Sequence, residues 1–206
     1  MILGDSGVGK TSVSLRLIDD RFYECDGCDT IGIEYGIKSI RVKGRKVRMQ
    51  IWDIAGEDRF LPIALAYLES VSVIVLMYDI SARHTFESVT KYWLPQIRNE
   101  KGSRNKKVIL VGNKADKFAD RQVSFEEAQS LASKESLWLY ETSAYDGTFI
   151  DNLFYDTATD LLMDIHENII VPSDFRNMGI TDDLHLNVMP VSTTITDERD
   201  CSCVLQ

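Results

Sequence analysis

Eight residues near the start of the chain, Gly4-Asp5-Ser6-Gly7-Val8-Gly9-Lys10-Thr11, constrain the fold more than any other feature. They fit the pattern G-x-x-x-x-G-K-[ST]. Glycines there let backbone N–H groups turn inward around an anion with no Cβ in the way. Lys10 supplies a point charge for the β- and γ-phosphates of a nucleotide, and Thr11 offers a hydroxyl to Mg2+. The helix that follows directs its positive end at the same anion. The motif works only between a strand and a helix. Apolar Ile2-Leu3 precedes it and Lys10–Asp19 has a helical pattern, with Ser12 in its first turn. Gly4 through Ser12 are therefore the candidate phosphate contacts.

The rest of the chain alternates β-rich runs with helical periods. Ile33–Val42 and Lys46–Asp53 read as two strands joined near Lys43-Gly44, a hairpin-type turn. Val71–Asp79, Lys107–Asn113 and Leu137–Glu141 read as further strands, and His84–Asn99 as one helix. Ser124 and Glu127 have capping-box spacing and open a helix to about Lys134. Phe149–His166 puts Phe149, Leu153, Phe154, Ala158, Leu161, Leu162 and Ile165 on one helical face. This alternation predicts an α/β fold: a mostly parallel six-stranded sheet, helices on both faces, and one antiparallel edge strand.

A phosphate loop alone serves adenine and guanine nucleotides equally, including those of P-loop kinases and ATPases. Asn113-Lys114-Ala115-Asp116 follows directly on an apolar strand, at the carboxyl end where open α/β sheets bind ligands. A carboxylate there accepts two hydrogen bonds from the N1–H and 2-amino group of guanine, a donor pair that adenine lacks. Glu141-Thr142-Ser143-Ala144 follows the last strand, so the backbone at Ser143 and Ala144 can reach the guanine O6.

With these segments in order, the chain resembles the Ras superfamily of small GTPases over residues 2–166, and within it the Rab family most. The resemblance implies a P-loop NTPase small G domain that binds GTP and GDP with Mg2+. Asp53-Ile54-Ala55-Gly56 matches the family's D-x-x-G, which touches Mg2+ through water and the γ-phosphate. Thr30 matches the threonine that joins Thr11 and Asp53 on Mg2+ in the GTP state. Phe22 has the spacing of the aromatic packed against guanine, with Tyr23 as the alternative. Ile31-Gly32-Ile33-Glu34-Tyr35 and Met49-Gln50-Ile51-Trp52-Asp53 resemble Rab segments. Tyr35, Trp52 and Tyr67 then fall where Rab proteins present an aromatic triad to effectors, while Tyr67-Leu68-Glu69-Ser70 copies its Rab counterpart poorly. Lys10, Gly56 and Glu57 are the implied catalytic positions. Exchange factors, GTPase-activating proteins and effectors are the implied partners of an expected monomer.

The sequence departs from that pattern in places. The family has a full first strand where this sequence has Met1-Ile2-Leu3. Cys25-Asp26-Gly27-Cys28-Asp29 lengthens the segment before Thr30 by one residue; it reads as a loop variant. Glu57 stands where the family has a catalytic glutamine, and Ile54 where it has a threonine. A carboxylate keeps the acceptor that orients an attacking water and loses the amide donor. A nucleotide-bound interaction module with little turnover, or a Ras-like signalling GTPase, is the alternative to a Rab-like switch in vesicle traffic.

Residues 167–206 lose periodicity and carry seven acidic residues against two basic ones, which reads as a flexible tail after a domain of residues 1–166. The tail ends Cys203-Val204-Leu205-Gln206, a C-a-a-X pattern for prenylation, and Cys201 offers a second attachment point. A lipid-anchored protein on the cytoplasmic face of an intracellular membrane is therefore expected. The net charge of −9 argues against nucleic acid as a partner. No apolar run of membrane-spanning length and no signal-peptide pattern is present. The four cysteines read as reduced thiols.

Overall fold

The structure, a computed structural model, describes residues 1–23, 30, 32–100, 106–166 and 202–205. Cys25, Cys28, Ile31 and Cys201 lie outside the described residues, as does most of the predicted tail. The strands are β1 (Ile2–Leu3), β2 (Ile33–Val42), β3 (Arg45–Ile54), β4 (Val73–Asp79), β5 (Lys107–Asn113), β6 (Trp138–Glu141) and β7 (Ser202–Leu205). The helices are α1 (Lys10–Asp19), α2 (Leu61–Tyr67), α3 (Arg83–Ser88), α4 (Leu94–Asn99), α5 (Phe125–Glu135) and α6 (Ile150–His166).

Among the described residues the sheet has seven strands, six of them along the path β2-β3-β1-β4-β5-β6. β2 runs antiparallel to β3 at the edge, and the pairs from β3 through β1, β4 and β5 to β6 are parallel. This is the predicted six-strand path with one antiparallel edge. β7 lies beside β3 off that path, Ser202 through Leu205 running parallel to Lys46 through Met49, inside the segment that reads as tail.

Alternation along the strands divides the core. Val75 and Met77 of β4 point to the face covered by α1 and α6, whereas Ile74, Leu76 and Tyr78 point to the face covered by α2, α3, α4 and α5. Ile2 and Leu3 of β1 divide the same way. β4 and β5 are thus buried on both sides, which is why they are continuous apolar runs.

Two elements differ from the sequence expectation. The single helix expected over His84–Asn99 is α3 and α4 joined by a π turn at Val89–Trp93. Pro95 in the first turn of α4 has no N–H to donate and would crowd the carbonyl four residues back, and the wider π turn relieves both. Phe149, expected on the core face of the last helix, is instead 58% exposed with φ 56°; Ile150 opens α6 and takes the buried place. The left-handed turn at Phe149 rotates its side chain out of the helical register. The other predicted core residues of α6 are buried. Ser124 caps α5 as expected, its Oγ accepting from the Glu127 N–H at 3.2 Å.

Candidate functional site

The chain passes from β1 to β2 and β3 on one side of the sheet and to β4 on the other. The carboxyl end of β1 is therefore a topological switch point, where ligands of such sheets bind. The Gly4–Thr11 loop lies there, between β1 and α1. Gly9 is the N-cap of α1 with φ 92°, and a Cβ at Gly9 would strike the Asn113 amide. Lys10 is buried and donates from Nζ to the Asp5 carbonyl at 2.8 Å, across the loop. Gly56 packs so closely on Asp5 and Ser6 that any Cβ would run into their backbone. The D-x-x-G segment and the phosphate loop therefore meet, as the sequence implied.

Parallel pairing aligns Ile2 with Asp53 near the end of β3, which carries Asp53 to the loop. Asp53 is 1% exposed. Its Oδ2 accepts from the Thr11 hydroxyl at 2.5 Å, and that hydroxyl is also in contact with the Thr30 hydroxyl. Asp53 Oδ1 is buried with no hydrogen-bond partner among the described residues. Burial holds the Asp53 carboxyl above the usual range. The Thr11 hydrogen bond and the Lys10 charge lower it, and the charge of Glu34 raises it further. Two hydroxyls and a carboxylate with one unused oxygen meet at one point, a hard-oxygen set that suits Mg2+. Among the described residues no cluster of three or more His, Cys, Asp or Glu is placed to hold a metal.

The base end is built by two loops tied to each other and to the phosphate loop. Asn113, 1% exposed, donates from Nδ2 to the Val8 carbonyl at 2.9 Å and accepts at Oδ1 from Thr142. Lys114 has φ 64° and pairs with Asp79 at 2.7 Å. Ser143 donates from Oγ to Asp116 Oδ1 at 2.6 Å, which aims the carboxylate. Ser143 and Ala144 are buried. Phe22 packs edge-to-face on Tyr145, whereas Tyr23 is 58% exposed. Ser12 lies in the first turn of α1, next to Thr11.

Glu57 lies just beyond Gly56, its carboxylate paired with Arg59 at 2.8 Å. Tyr35 stands opposite Trp52 on β2 and β3 with ring centroids 5.0 Å apart, and Trp52 stacks on Tyr67 at 5.1 Å. The three implied effector residues thus form one continuous surface, with Tyr35 and Tyr67 exposed.

Three residues of the site carry no signal in the sequence. Trp93, placed by the π turn, donates its indole N–H to Asp5 Oδ1 at 2.7 Å. Arg16 on α1 reaches the loop after β6, and Tyr145 in that loop packs on Phe22. Their partners are 88 to 129 positions away, beyond what motif spacing reports.

A sequence profile of the Ras family matches residues 1–163. Ras-related protein SEC4 of Candida albicans is 38% identical over 159 residues, 77% of this chain and 74% of its own. Ras-related protein Rab-13 of Canis lupus familiaris is 38% identical over 163 residues, 79% of each. Ras-related protein Rab-12 of Mus musculus is 38% identical over 164 residues, 79% of this chain and 66% of its own.

Proposed function

The chain belongs to the Ras family of small GTPases, binding guanine nucleotide and acting through effectors and regulators; from that premise we propose that it is a Rab-type switch in vesicle traffic, anchored to an intracellular membrane by lipid on Cys203 and Cys201. The contacts that bring Asp53, Thr11 and Thr30 together beside the phosphate loop carry this reading. Residues 1–166 are the switch domain and residues 167–206 the connection to the membrane.

Gly4 through Ser12 and Lys10 bind the phosphates. Asn113, Lys114, Asp116, Ser143 and Ala144 select guanine, with Phe22 against the base. Thr11, Thr30 and Asp53 would hold Mg2+, which when bound would supply positive charge to neutralise the negative charge that develops on the phosphates. The Glu57 carboxylate accepts a hydrogen bond from the attacking water and orients it, while Lys10 opposes the growing negative charge. Arg59, already paired with Glu57, offsets the carboxylate's repulsion of the γ-phosphate. Glu57 has no amide donor, so turnover is slow. Loss of the γ-phosphate removes the contacts that hold Thr30 and Gly56, and the aromatic surface of Tyr35, Trp52 and Tyr67 changes its presentation to effectors. Aromatics of this kind suit an interface hot spot.

The deciding experiment is single-turnover hydrolysis of bound GTP, with ATP as competitor and Glu57→Gln in parallel. We expect slow conversion to GDP and phosphate, no displacement by ATP, and a stronger response of Glu57→Gln to a matching GTPase-activating protein. Equal competition by ATP refutes the guanine site. Absence of turnover, with effector binding intact, refutes the enzymatic switch.

A further inference from the structure

Arg16 lies on α1, six positions beyond Lys10, yet its guanidinium serves the other end of the nucleotide site. Its Nε donates to the Ala144 carbonyl at 3.0 Å and its Nη2 to the Tyr145 carbonyl at 2.8 Å. Nη1 donates to the carbonyl and the carboxylate of Asp20, at 3.3 and 3.1 Å. Asp20 caps α1 in the left-handed conformation, φ 54°, and the chain turns there toward Phe22. Phe22 meets Tyr145 edge-to-face, 5.5 Å between centroids at 84°, and the guanidinium carbon lies 6.0 Å from the Phe22 ring. One planar fork thus joins the end of the phosphate-loop helix, the turn into Phe22, and the loop after β6.

That loop is closed internally by its own bonds, Ser143 N–H to Thr148 and Gly147 N–H to Ser143. They give it a shape; the Arg16 fork gives it a position relative to α1. We propose that Arg16 is a positioning residue of the base site. It holds the backbone at Ser143–Tyr145 where an N–H meets the 6-oxo group of a purine, and it braces Phe22 and Tyr145 as one aromatic wall beside the base. This role rests on the guanine reading above and deepens it. Arginine is the residue the geometry requires, because its rigid donors reach two carbonyls in one plane, and a lysine ammonium reaches them only one at a time.

The test separates the two edges of the base. GDP release is measured against 6-thio-GDP, which alters only the 6-oxo contact, and against inosine diphosphate, which lacks only the 2-amino group read by Asp116. Wild type, Arg16→Ala and Arg16→Lys are compared at matched nucleotide load, with Mg2+ and with chelator. For Arg16→Ala the preference for GDP over 6-thio-GDP falls about five- to tenfold, the loss of one well-placed hydrogen bond. Its preference for GDP over inosine diphosphate and its acceleration by chelator stay at wild-type values. Arg16→Lys falls between. If both preferences shrink together, or neither moves, Arg16 only supports the fold and the proposal is overturned. If wild type itself shows no preference for GDP over either analogue, the guanine reading fails, and this role with it.

Discussion

Asp53 is placed against its own electrostatic interest. It is 1% exposed, and burial raises its carboxyl above the usual range despite Thr11 and Lys10. A folded-state pKa above the unfolded value stabilises the fold at low pH, and that stability is lost as pH rises through the folded value. The metal-free protein therefore pays a cost for ionising this carboxyl that it would not pay unfolded. Asp53→Asn should raise the melting temperature of nucleotide- and metal-free protein at pH 7 by about 2–4 °C, the shift of roughly 1 kcal/mol in a domain of this size. The same variant should lose the Mg2+ dependence of nucleotide retention. A lower melting temperature for Asp53→Asn would show that the carboxylate is not held at a cost. Most of this residue set was legible in the sequence, because a phosphate loop and its partners need particular side chains at short spacings. The unused Oδ1 of Asp53 was not, because a lone pair without a donor is a fact of packing.

The short strand β1 carries a second titrating group. The Met1 amino group is buried and donates to the Val73 carbonyl at 3.0 Å; burial lowers its pKa from 8.0 to about 5. A depressed amine leaves stability fully present above pH 8. As pH falls from 8 toward 5 the unfolded chain takes up a proton that the folded amine refuses, and stability is lost by up to about 1.4 kcal/mol per pH unit. Thermal melts of this chain between pH 8 and 5 should show that slope. A variant with five β-prone residues ahead of Met1 replaces the amine with a peptide N–H; it should lose the slope and melt higher. Identical slopes for the two would mean the amine is solvated after all. Strand and helix types along the chain followed from periodicity, with α1, β2 and β5 bounded as the sequence indicated. The π turn at Val89–Trp93 and the left-handed Phe149 escaped it, since both are local departures from the 3.6-residue period.

At the scale of the whole molecule, the proposed switch domain and the proposed membrane connection make separable demands. Cys203→Ser removes the proposed prenyl acceptor and should leave the protein in the soluble fraction. Cys201→Ser should weaken retention less, since one chain alone gives marginal anchoring. Fractionation of both variants from the protein's own cells tests this; wild type found entirely soluble and without lipid would end the anchor proposal. The sequence by itself determined the layered α/β class, the phosphate-loop motif, the segments proposed to select guanine and the family, because each depends on residue types at short, fixed spacings. The tertiary structure alone decided how these pieces are held. It brought Thr11, Thr30 and Asp53 into contact, stacked Trp52 between Tyr35 and Tyr67, set Trp93 against Asp5, and hooked Arg16 onto the loop after β6. Those contacts join residues distant along the chain. Their geometry comes from strand order and from the turn of each helix on the sheet, which no local pattern encodes.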